Sequence, residues 1–324
     1  MRGGIDIGGT KVQAVVVDSR SNVRGQARLP TPREGGPPDV VAAMVEALTQ
    51  AAQAASVEVG ELSGVGVGSP GAVDAEAGTV AGARNLPGWT DEPYPMASAI
   101  EERTGVSVEL GNDVQVGVNA EFTLGAASEY ESLLGVFWGT GVGGGIILRG
   151  KPWVGRGAAG EIGHIVIKRG GALCPCGRRG CVEAYAGRGA MEAKARHLVE
   201  RGHKTDLFKI MEKKGRTRLQ SGIWARALER GDPMAIKLID RAIEALGAGI
   251  ASAVNLLDVE AVVIGGGLGT RLGEPYVRRI EEQMGPHLFV PERPPAVRLA
   301  ALGDLGGAVG GALLVPARRR AKVP

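Results

Sequence analysis

Short apolar runs alternate along the chain with longer segments in which apolar residues recur at helical spacing. The runs predict strands at residues 5–7, 12–17, 65–68, 106–110, 146–148 and 259–264. The helical spacing predicts amphipathic helices that begin after Asp39 and near Asp113, and a further helix over residues 189–200. Strands that alternate with helices in this order favour a mixed sheet with flanking helices, which is the α/β class.

A long helix is predicted to begin at Asp232 and Pro233, because proline suits the first helical position. Its apolar residues predict one buried face, made of Ile236, Ile239, Ile243, Leu246, Ile250, Val254 and Leu257. Residues 304–315 are rich in glycine and alanine and predict a closely packed helix. Residues 201–222 are rich in lysine and arginine with little periodicity, and we interpret them as a solvated helix surface with loops.

Two glycine-rich turns each join a pair of predicted strands. The first consists of Gly8, Gly9, Thr10 and Lys11, and the second covers residues 139–145. Glycine lets backbone N–H groups approach a phosphate, while threonine and lysine can add a hydroxyl and a charge. An ordinary hairpin turn is the alternative interpretation of the first. Asp6, just before this turn, could face a nucleotide-bound magnesium ion through water.

Two familiar nucleotide motifs are matched only in part, and we reject both. Gly139, Gly141 and Gly144 satisfy the pattern G-x-G-x-x-G. That motif requires a helix after the turn, whereas residues 146–148 predict a strand. Residues 145–151 match the first seven positions of a P-loop, but Pro152 replaces the required serine or threonine. Thr140 remains a candidate for a hydroxyl contact to phosphate.

Residues 160–183 contain all three cysteines of the chain, Cys174, Cys176 and Cys181, together with His164. Three cysteines and one histidine are a standard ligand set for structural zinc. Unpaired thiols that fall together by chance are the alternative, which the absence of cysteine elsewhere disfavours. We therefore predict one structural zinc ion. Glu161 and Glu183 flank the loop, and a metal would hold them rigidly against a ligand.

Composition narrows the possible partners. A chain of 324 residues suits two domains, and 44% hydrophobic against 4% aromatic residues indicates an aliphatic core. Four positive charges of the net +3 come from Arg318, Arg319, Arg320 and Lys322, so the remainder is nearly neutral. Neither nucleic acid nor membrane is implied as a partner. With no leader or membrane span recognised and the cysteines clustered for a metal, we expect a soluble, cytoplasmic protein.

Asp113 lies close to the start of a predicted helix, after Gly111 and Asn112. The ordinary role of an aspartate there is to cap the helix. The helix dipole also favours an ionised carboxylate, which suits a catalytic base.

The motif E-x-x-H followed by C-x-C-G-x-x-G-C-x-E, and the opening I-D-I-G-G-T-K, resemble the ROK family of sugar kinases and sugar-responsive repressors. The resemblance covers essentially the whole chain. It implies two ribonuclease-H-like domains around a cleft, the architecture of actin-like ATPases and sugar kinases. We expect one domain from residues 1–112 with 303–324, and a larger one from residues 113–302 that carries the zinc loop.

The resemblance also implies a set of site residues. The sugar would be contacted by Asn112, Asp113, Glu161, His164 and Glu183, with Gly71 and Asn85 completing the pocket. ATP with Mg²⁺ would be bound by Asp6, Gly8, Gly9, Thr10, Lys11, Thr140, Gly141, Gly265, Gly266 and Gly267. Asp113 would be the general base, and His164 would bind zinc through one ring nitrogen and a sugar hydroxyl through the other. The family often has glutamate at the position of Gly111, to which we assign no role.

The expected activity is phosphorylation of glucose to glucose 6-phosphate with ATP as donor. Kinases of the same family for N-acetylglucosamine, N-acetylmannosamine or fructose are the alternatives. A repressor of the family would carry a helix-turn-helix domain before Asp6, where we expect no room for one. Polyphosphate-dependent relatives typically lack the cysteine loop. A non-catalytic sugar sensor would be expected to lose Asp113 or one of the two glycine-rich turns, and this sequence keeps them. We expect a homo-oligomer, either a dimer or a tetramer.

Overall fold

The computed structural model describes residues 1–316, so the basic residues Arg318, Arg319, Arg320 and Lys322 lie outside the described part. The described chain divides into two compact units. The first comprises Met1–Gly125, Gly155–Gly157 and the residues from Leu302 onward, and the second comprises Ala126–Val154 and Ala158–Ala301. Within residues 1–316, no helix is both long enough and apolar enough to span a membrane.

The strands and helices of the structure include those that the sequence predicts, together with several that it does not. In chain order the strands are β1 (Arg2–Ile7), β2 (Lys11–Val17), β3 (Val23–Pro30), β4 (Val65–Ser69), β5 (Ala72–Asp74), β6 (Thr79–Ala81), β7 (Val108–Asn112), β8 (Leu133–Trp138), β9 (Val142–Leu148), β10 (Lys151–Pro152), β11 (Ala261–Gly265) and β12 (Ala296–Leu299). The helices are α1 (Pro37–Ala54), α2 (Met96–Thr104), α3 (Asp113–Leu124), α4 (Glu183–Ala186), α5 (Arg188–Glu200), α6 (Leu207–Lys213), α7 (Ser221–Glu229), α8 (Pro233–Leu257), α9 (Gly266–Leu272), α10 (Glu274–Met284) and α11 (Gly306–Leu314).

In the described residues, the main sheet of each unit has five strands and the same topology. The first sheet has the order β3-β2-β1-β4-β7, and the second has the order β10-β9-β8-β11-β12. In each, the first three strands of this order are antiparallel neighbours, and the last three run parallel to one another. This repeated mixed sheet confirms the predicted α/β class with two ribonuclease-H-like units.

The sheet of the first unit is covered by α1 on one face and by α11 on the other. Helix α1 buries Val40, Met44 and Leu48 against the aliphatic residues of β1 and β2. Helix α11 approaches the sheet so closely that a Cβ atom at Gly4 or Gly66 would overlap its backbone. The glycine and alanine content of residues 304–315 therefore gives the closely packed helix that the sequence predicts.

The division between the units differs from the boundary expected at residue 112. Helix α3 packs against α11, and a Cβ atom at Gly310 would meet the carbonyl of Val116. This close crossing assigns α3 to the first unit, which continues as far as Gly125. The returning segment begins at Leu302, whose N–H donates to the Glu121 carboxylate over 2.8 Å.

Helix α8 is central to the core of the second unit. Asp232 caps it by accepting a hydrogen bond from the N–H of Ala235 over 2.8 Å, as expected for a helix that starts at this position. Most of the predicted face is buried, but Ile236 is 39% exposed and its assignment to the core was wrong. Met234, Ala235 and Leu238 face the core there instead, and position 236 points away from them.

The interpretation of residues 201–222 as a solvated surface is only partly correct. Its basic residues are exposed, but Leu207, Ile210 and Leu219 are buried in the second core. Three apolar residues spread over a short helix and a loop give too weak a periodicity to be recognised from the sequence.

Candidate functional site

The carboxyl ends of three parallel strands lie side by side in the first sheet. The register aligns Asp6 of β1 with Gly68 of β4, and Ser69 of β4 with Asn112 of β7. In open α/β sheets this edge is where ligands bind. The topology therefore brings together the first glycine turn and the pair Asn112-Asp113, which the sequence singles out separately.

The first glycine turn closes the β1–β2 hairpin. The N–H of Gly8 donates to the carbonyl of Lys11 over 3.0 Å, which confirms the predicted strand-turn-strand. Thr31, which the sequence analysis did not single out, donates its hydroxyl to the carbonyl of Gly8. A Cβ atom at Gly9 would lie 2.6 Å from the carbonyl oxygen of Asn85, so only glycine fits. Asn85 thus lies directly against this turn.

Asp6 lies against the start of α11. A Cβ atom at Gly307 would lie 2.7 Å from its carboxyl carbon. Burial raises the pKa of Asp6, the attraction of Lys11 lowers it, and repulsion from Asp304 raises it further. A desolvated carboxylate gains most from a nearby cation, so this hard oxygen donor fits a divalent ion such as Mg²⁺.

Lys11 is held in place by Asp304, a partner that the sequence analysis missed. Its ammonium donates to the Asp304 carbonyl over 3.2 Å and lies 3.8 Å from the Asp304 carboxylate. The two residues are 293 positions apart in the chain. They meet because the segment from Leu302 onward returns to the first unit. The contact holds a positive charge beside the first glycine turn, where it suits a phosphate.

Asn112 and Asp113 divide two roles at the start of α3. The side chain of Asn112 caps the helix by accepting from the N–H groups of Val114 and Gln115, over 3.1 and 3.2 Å. Asp113 is the first helical residue, and its Oδ1 accepts from the N–H of Val114 over 2.9 Å. The main cap is therefore Asn112, and Asp113 lies where the helix dipole favours its ionised form.

Two glycine turns lie next to each other in the second unit. The turn after β8 leads into β9, so the predicted hairpin and the rejection of a dinucleotide motif are confirmed. The turn Gly265–Gly267 leads from β11 into α9, and β11 is a parallel neighbour of β8. A Cβ atom at Gly139 would lie 4.0 Å from the backbone nitrogen of Gly267.

Arg188 is a residue of this region that the sequence analysis missed. Its guanidinium donates to the hydroxyl of Thr140 over 2.7 Å and to the hydroxyl of Ser221 over 2.8 Å. The only sequence signal is an arginine between two glycines, Gly187 and Gly189, at the start of a helix.

The four predicted metal ligands converge in the second unit. The ligand atoms of His164, Cys174, Cys176 and Cys181 all lie within 4.8 Å of one another. Cys176 Sγ lies 3.9 Å from Cys181 Sγ, and Cys174 Sγ lies 3.7 Å from His164 Nδ1. A tetrahedral zinc ion with Zn–S bonds of about 2.3 Å separates its sulfur ligands by roughly 3.8 Å. The donor set and its spacing therefore fit zinc.

The surroundings of two of the cysteines shift their pKa values in opposite directions. Burial raises the pKa of Cys174 to about 12, whereas hydrogen bonds from Arg178 lower the pKa of Cys176 to about 6. A bound metal requires all three as thiolates, so metal binding would release protons.

The two flanking glutamates contact different parts of the second unit. Glu161 Oε2 lies 3.9 Å from His164 Nε2, the ring nitrogen opposite the one that faces Cys174. Glu183 accepts a hydrogen bond from the N–H of Val142 over 2.9 Å, and Gly141 leaves room for its carboxylate. Glu183 thereby connects the end of the cysteine loop with the second glycine turn.

The predicted sugar contacts belong to both units. Gly71, Asn85, Asn112 and Asp113 lie in the first unit, and Glu161, His164 and Glu183 lie in the second. Gly71 has a φ of +92°, in the region that favours glycine, and it turns the chain out of β4.

Comparison with known proteins places these features in a family. Residues 2–318 match the ROK family. A glucokinase of Halalkalibacterium halodurans is 30% identical over 315 residues, which cover 96% of this chain and 94% of the relative. An N-acetylmannosamine kinase of Haemophilus influenzae is 31% identical over 314 residues, which cover 96% and 94%.

Among solved structures, a ROK family glucokinase from Streptomyces griseus in complex with glucose and AMPPNP is 32% identical, with a TM-score of 0.80. The match covers 97% of this chain and 98% of that one. The chain shares the actin-like ATPase fold of these proteins.

Proposed function

The chain belongs to the ROK family, and from this premise we propose that it is an ATP-dependent sugar kinase that converts glucose to glucose 6-phosphate. The observation that carries the proposal is the carboxyl edge of the first sheet. Asp6 lies near the end of β1, the first glycine turn follows β1, and Asp113 follows the end of β7. Strand β4 lies between β1 and β7 and runs parallel to both. This edge combines groups suited to a nucleotide phosphate with a carboxylate suited to proton transfer.

ATP would be bound through backbone N–H groups of the glycine turns. Gly8, Gly9, Thr10 and Lys11 would bind phosphate in the first unit, and Thr140 and Gly141 in the second. Gly265, Gly266 and Gly267 would lie against the base and ribose. Asp6 would hold the Mg²⁺ that accompanies ATP, which when bound neutralises charge on the phosphates.

Asp113 would act as the general base. It accepts the proton of the sugar 6-hydroxyl while that oxygen bonds to the γ-phosphorus and the bond to the ADP oxygen breaks. Positioning and charge stabilisation account for most of the catalysis of phosphoryl transfer. Asn112 fixes the start of α3 and with it the backbone of Asp113.

Glu161, His164 and Glu183 would hold the sugar ring, together with Asn112, Gly71 and Asn85. A hydrogen bond to a charged group contributes about 1.5–3 kcal/mol, so two glutamates can supply much of the sugar affinity. Zinc would fit the four-ligand site as a structural ion, because His164 and the three cysteines fill a tetrahedral set. It would act on sugar binding by fixing His164 and the loop that ends at Glu183.

Glucose is the preferred substrate because glucokinases stand among the similar relatives and one similar structure contains glucose. An N-acetylhexosamine is the second candidate, since an N-acetylmannosamine kinase is equally similar in sequence. A sugar-sensing regulator without catalysis is the candidate from another functional class.

The test is sugar-dependent formation of ADP, with the phosphorylated sugar identified by ³¹P NMR. We expect turnover with ATP and glucose that requires Mg²⁺. If the protein binds sugar but shows no sugar-dependent turnover with any hexose or N-acetylhexosamine tried, the assignment changes from a kinase to a sugar sensor. Phosphorylation at another hydroxyl would contradict the assigned position.

A further inference from the structure

Arg188 occupies a position between the two glycine turns of the second unit. Its Nη2 donates to the Thr140 hydroxyl over 2.7 Å, and its Nη1 donates to the Ser221 hydroxyl over 2.8 Å. Its own N–H donates to the carbonyl of Gly139 over 3.2 Å. A Cβ atom at Gly267 would lie 3.6 Å from the same Ser221 hydroxyl. Arg188 therefore bridges the second glycine turn and the surroundings of the Gly265–Gly267 turn.

The charge of Arg188 has no carboxylate partner at ion-pair distance within residues 1–316. Glu192, one helical turn further on, is hydrogen-bonded to Arg196, Arg218 and the N–H of Leu219. Burial lowers the pKa of Arg188, attraction to Glu192 raises it, and repulsion from Arg218 lowers it again. A partly desolvated cation held only by neutral hydroxyls would be stabilised by an anion.

The hydroxyls of Thr140 and Ser221 can also donate hydrogen bonds to an anion. A hydroxyl has one hydrogen to donate and lone pairs to accept. Because Thr140 and Ser221 each accept from Arg188, each can direct its own hydrogen to a further acceptor. The guanidinium uses two of its five N–H groups in these bonds, and its fork geometry matches phosphate oxygens.

We propose that Arg188 binds the diphosphate of ADP and ATP, next to Thr140 and on the side of the Gly265–Gly267 turn. The inference rests on the proposed function as an ATP-dependent kinase, and it adds a cationic contact that the glycine turns alone do not provide. The competing explanation is that Arg188 has a purely structural role, in which it only connects Thr140 with Ser221.

The test compares ADP and adenosine affinity, measured by displacement of a fluorescent ADP analogue, in Arg188→Gln and the wild type. We expect Arg188→Gln to weaken ADP binding about 10-fold to 100-fold, the range for loss of a charged hydrogen bond. Adenosine, which has no phosphate, should change by less than about 2-fold. Arg188→Lys keeps the charge and should retain part of the ADP affinity.

Arg218→Gln is the matched control, because it removes the same charge nearby from a residue already paired with Glu192. It should change ADP affinity by less than about 3-fold. Equal losses of ADP affinity and adenosine affinity in Arg188→Gln would indicate the purely structural role and contradict the proposal. An unchanged ADP affinity in this variant would also overturn the proposal. If Arg188→Gln does not fold, the same comparison is made with Arg188→Lys, where an unchanged ratio of ADP to adenosine affinity is the contradicting result.

The binding and kinetic results distinguish an incorrect role of Arg188 from an incorrect proposed function. A wild type that binds neither ADP nor ATP would contradict the kinase itself. A wild type that binds ADP and phosphorylates sugar, with Arg188→Gln unchanged, would contradict only the role of Arg188.

Discussion

At the scale of single residues, Asp113 and Asp6 are two carboxylates whose surroundings favour different roles. Asp113 begins α3 beside its cap Asn112, where the helix dipole favours the ionised form. Asp6 is instead desolvated and has a raised pKa, although Lys11 counteracts this. The first arrangement suits a carboxylate that accepts a proton from its ionised form, and the second suits a site that gains from a cation.

Asp113→Asn should lower kcat about 10²-fold to 10⁴-fold, the usual cost of losing a positioned general base. Asparagine keeps the size of the side chain, so affinities for ATP and sugar should change much less. Steady-state kinetics together with ligand titration would measure both. A variant with nearly normal kcat would show that Asp113 serves only the helix start.

Gly307→Ala should raise the KM for Mg-ATP about 10-fold, a loss comparable to that of one charged hydrogen bond. The new Cβ would lie 2.7 Å from the Asp6 carboxyl carbon and displace it. Gly306→Ala is the control on the same helix, where the nearest atom is the Leu302 Cβ at 3.3 Å. Alanine favours a helix over glycine, so neither change should weaken the helix itself. Equal KM values for both variants would contradict a role of Asp6 in binding Mg-ATP.

At the scale of elements, a structural feature could be predicted from the sequence when residues close together in the chain determine it. The hairpin turns and the start of α8 follow from short sequence patterns, and the structure contains them. Ile236 was wrongly assigned to the core, because periodicity alone does not fix the angle at which a helix packs. Arg188 and Asp304 were missed because their partners, Thr140 and Lys11, are distant in sequence and meet them only in the folded chain.

Removal of one ligand from the cysteine loop should affect both folding and sugar binding. We expect one zinc per chain in the wild type, and we expect Cys176→Ala to lower the zinc content, Tm and glucose affinity together, since ligand geometry and fold are coupled. Arg169→Ala, an exposed residue of the same segment, is the control. Metal analysis that finds well under one zinc per chain in the wild type would rule out this prediction.

Glu192 of α5 should make stability depend on pH. Burial raises its pKa, but hydrogen bonds from Arg196, Leu219 and Arg218 outweigh this and lower it below the ordinary 4.5. A lowered folded-state pKa means that the stabilisation is present above about pH 4.5 and is lost as pH falls through the folded pKa. Glu192→Gln should thus cost about 1–3 kcal/mol at pH 7.

The difference between Glu192→Gln and the wild type should shrink when urea unfolding is repeated near pH 4, a value just below the ordinary glutamate pKa. Glu229→Gln, which removes an exposed partner of Arg226, is the control and should cost little at either pH. A difference that stays constant between the two pH values would show that the ionised form of Glu192 is not what stabilises α5.

At the scale of the whole molecule, the two units repeat one topology but carry different predicted site residues. Each sheet supplies a glycine turn after a corresponding strand, β1 in the first and β8 in the second. Only the first unit carries Asp6 and Asp113, and only the second carries the predicted metal ligands and the Gly265–Gly267 turn. Sequence patterns could recognise both turns, but the equal strand order of the two sheets became visible only from the pairing of distant strands.

The preference among sugars is the property of the whole molecule on which the proposed function depends most. We expect kcat/KM for glucose to exceed that for N-acetylmannosamine, N-acetylglucosamine and fructose by at least about 10-fold. A site whose buried polar groups match one set of hydroxyls leaves those groups unpaired with another sugar, and such mismatches cost several kcal/mol. Competition between glucose and each other sugar at limiting concentrations measures the ratios directly. A higher kcat/KM for any N-acetylhexosamine would transfer the assignment to that sugar and leave the kinase activity and the role of Asp113 standing.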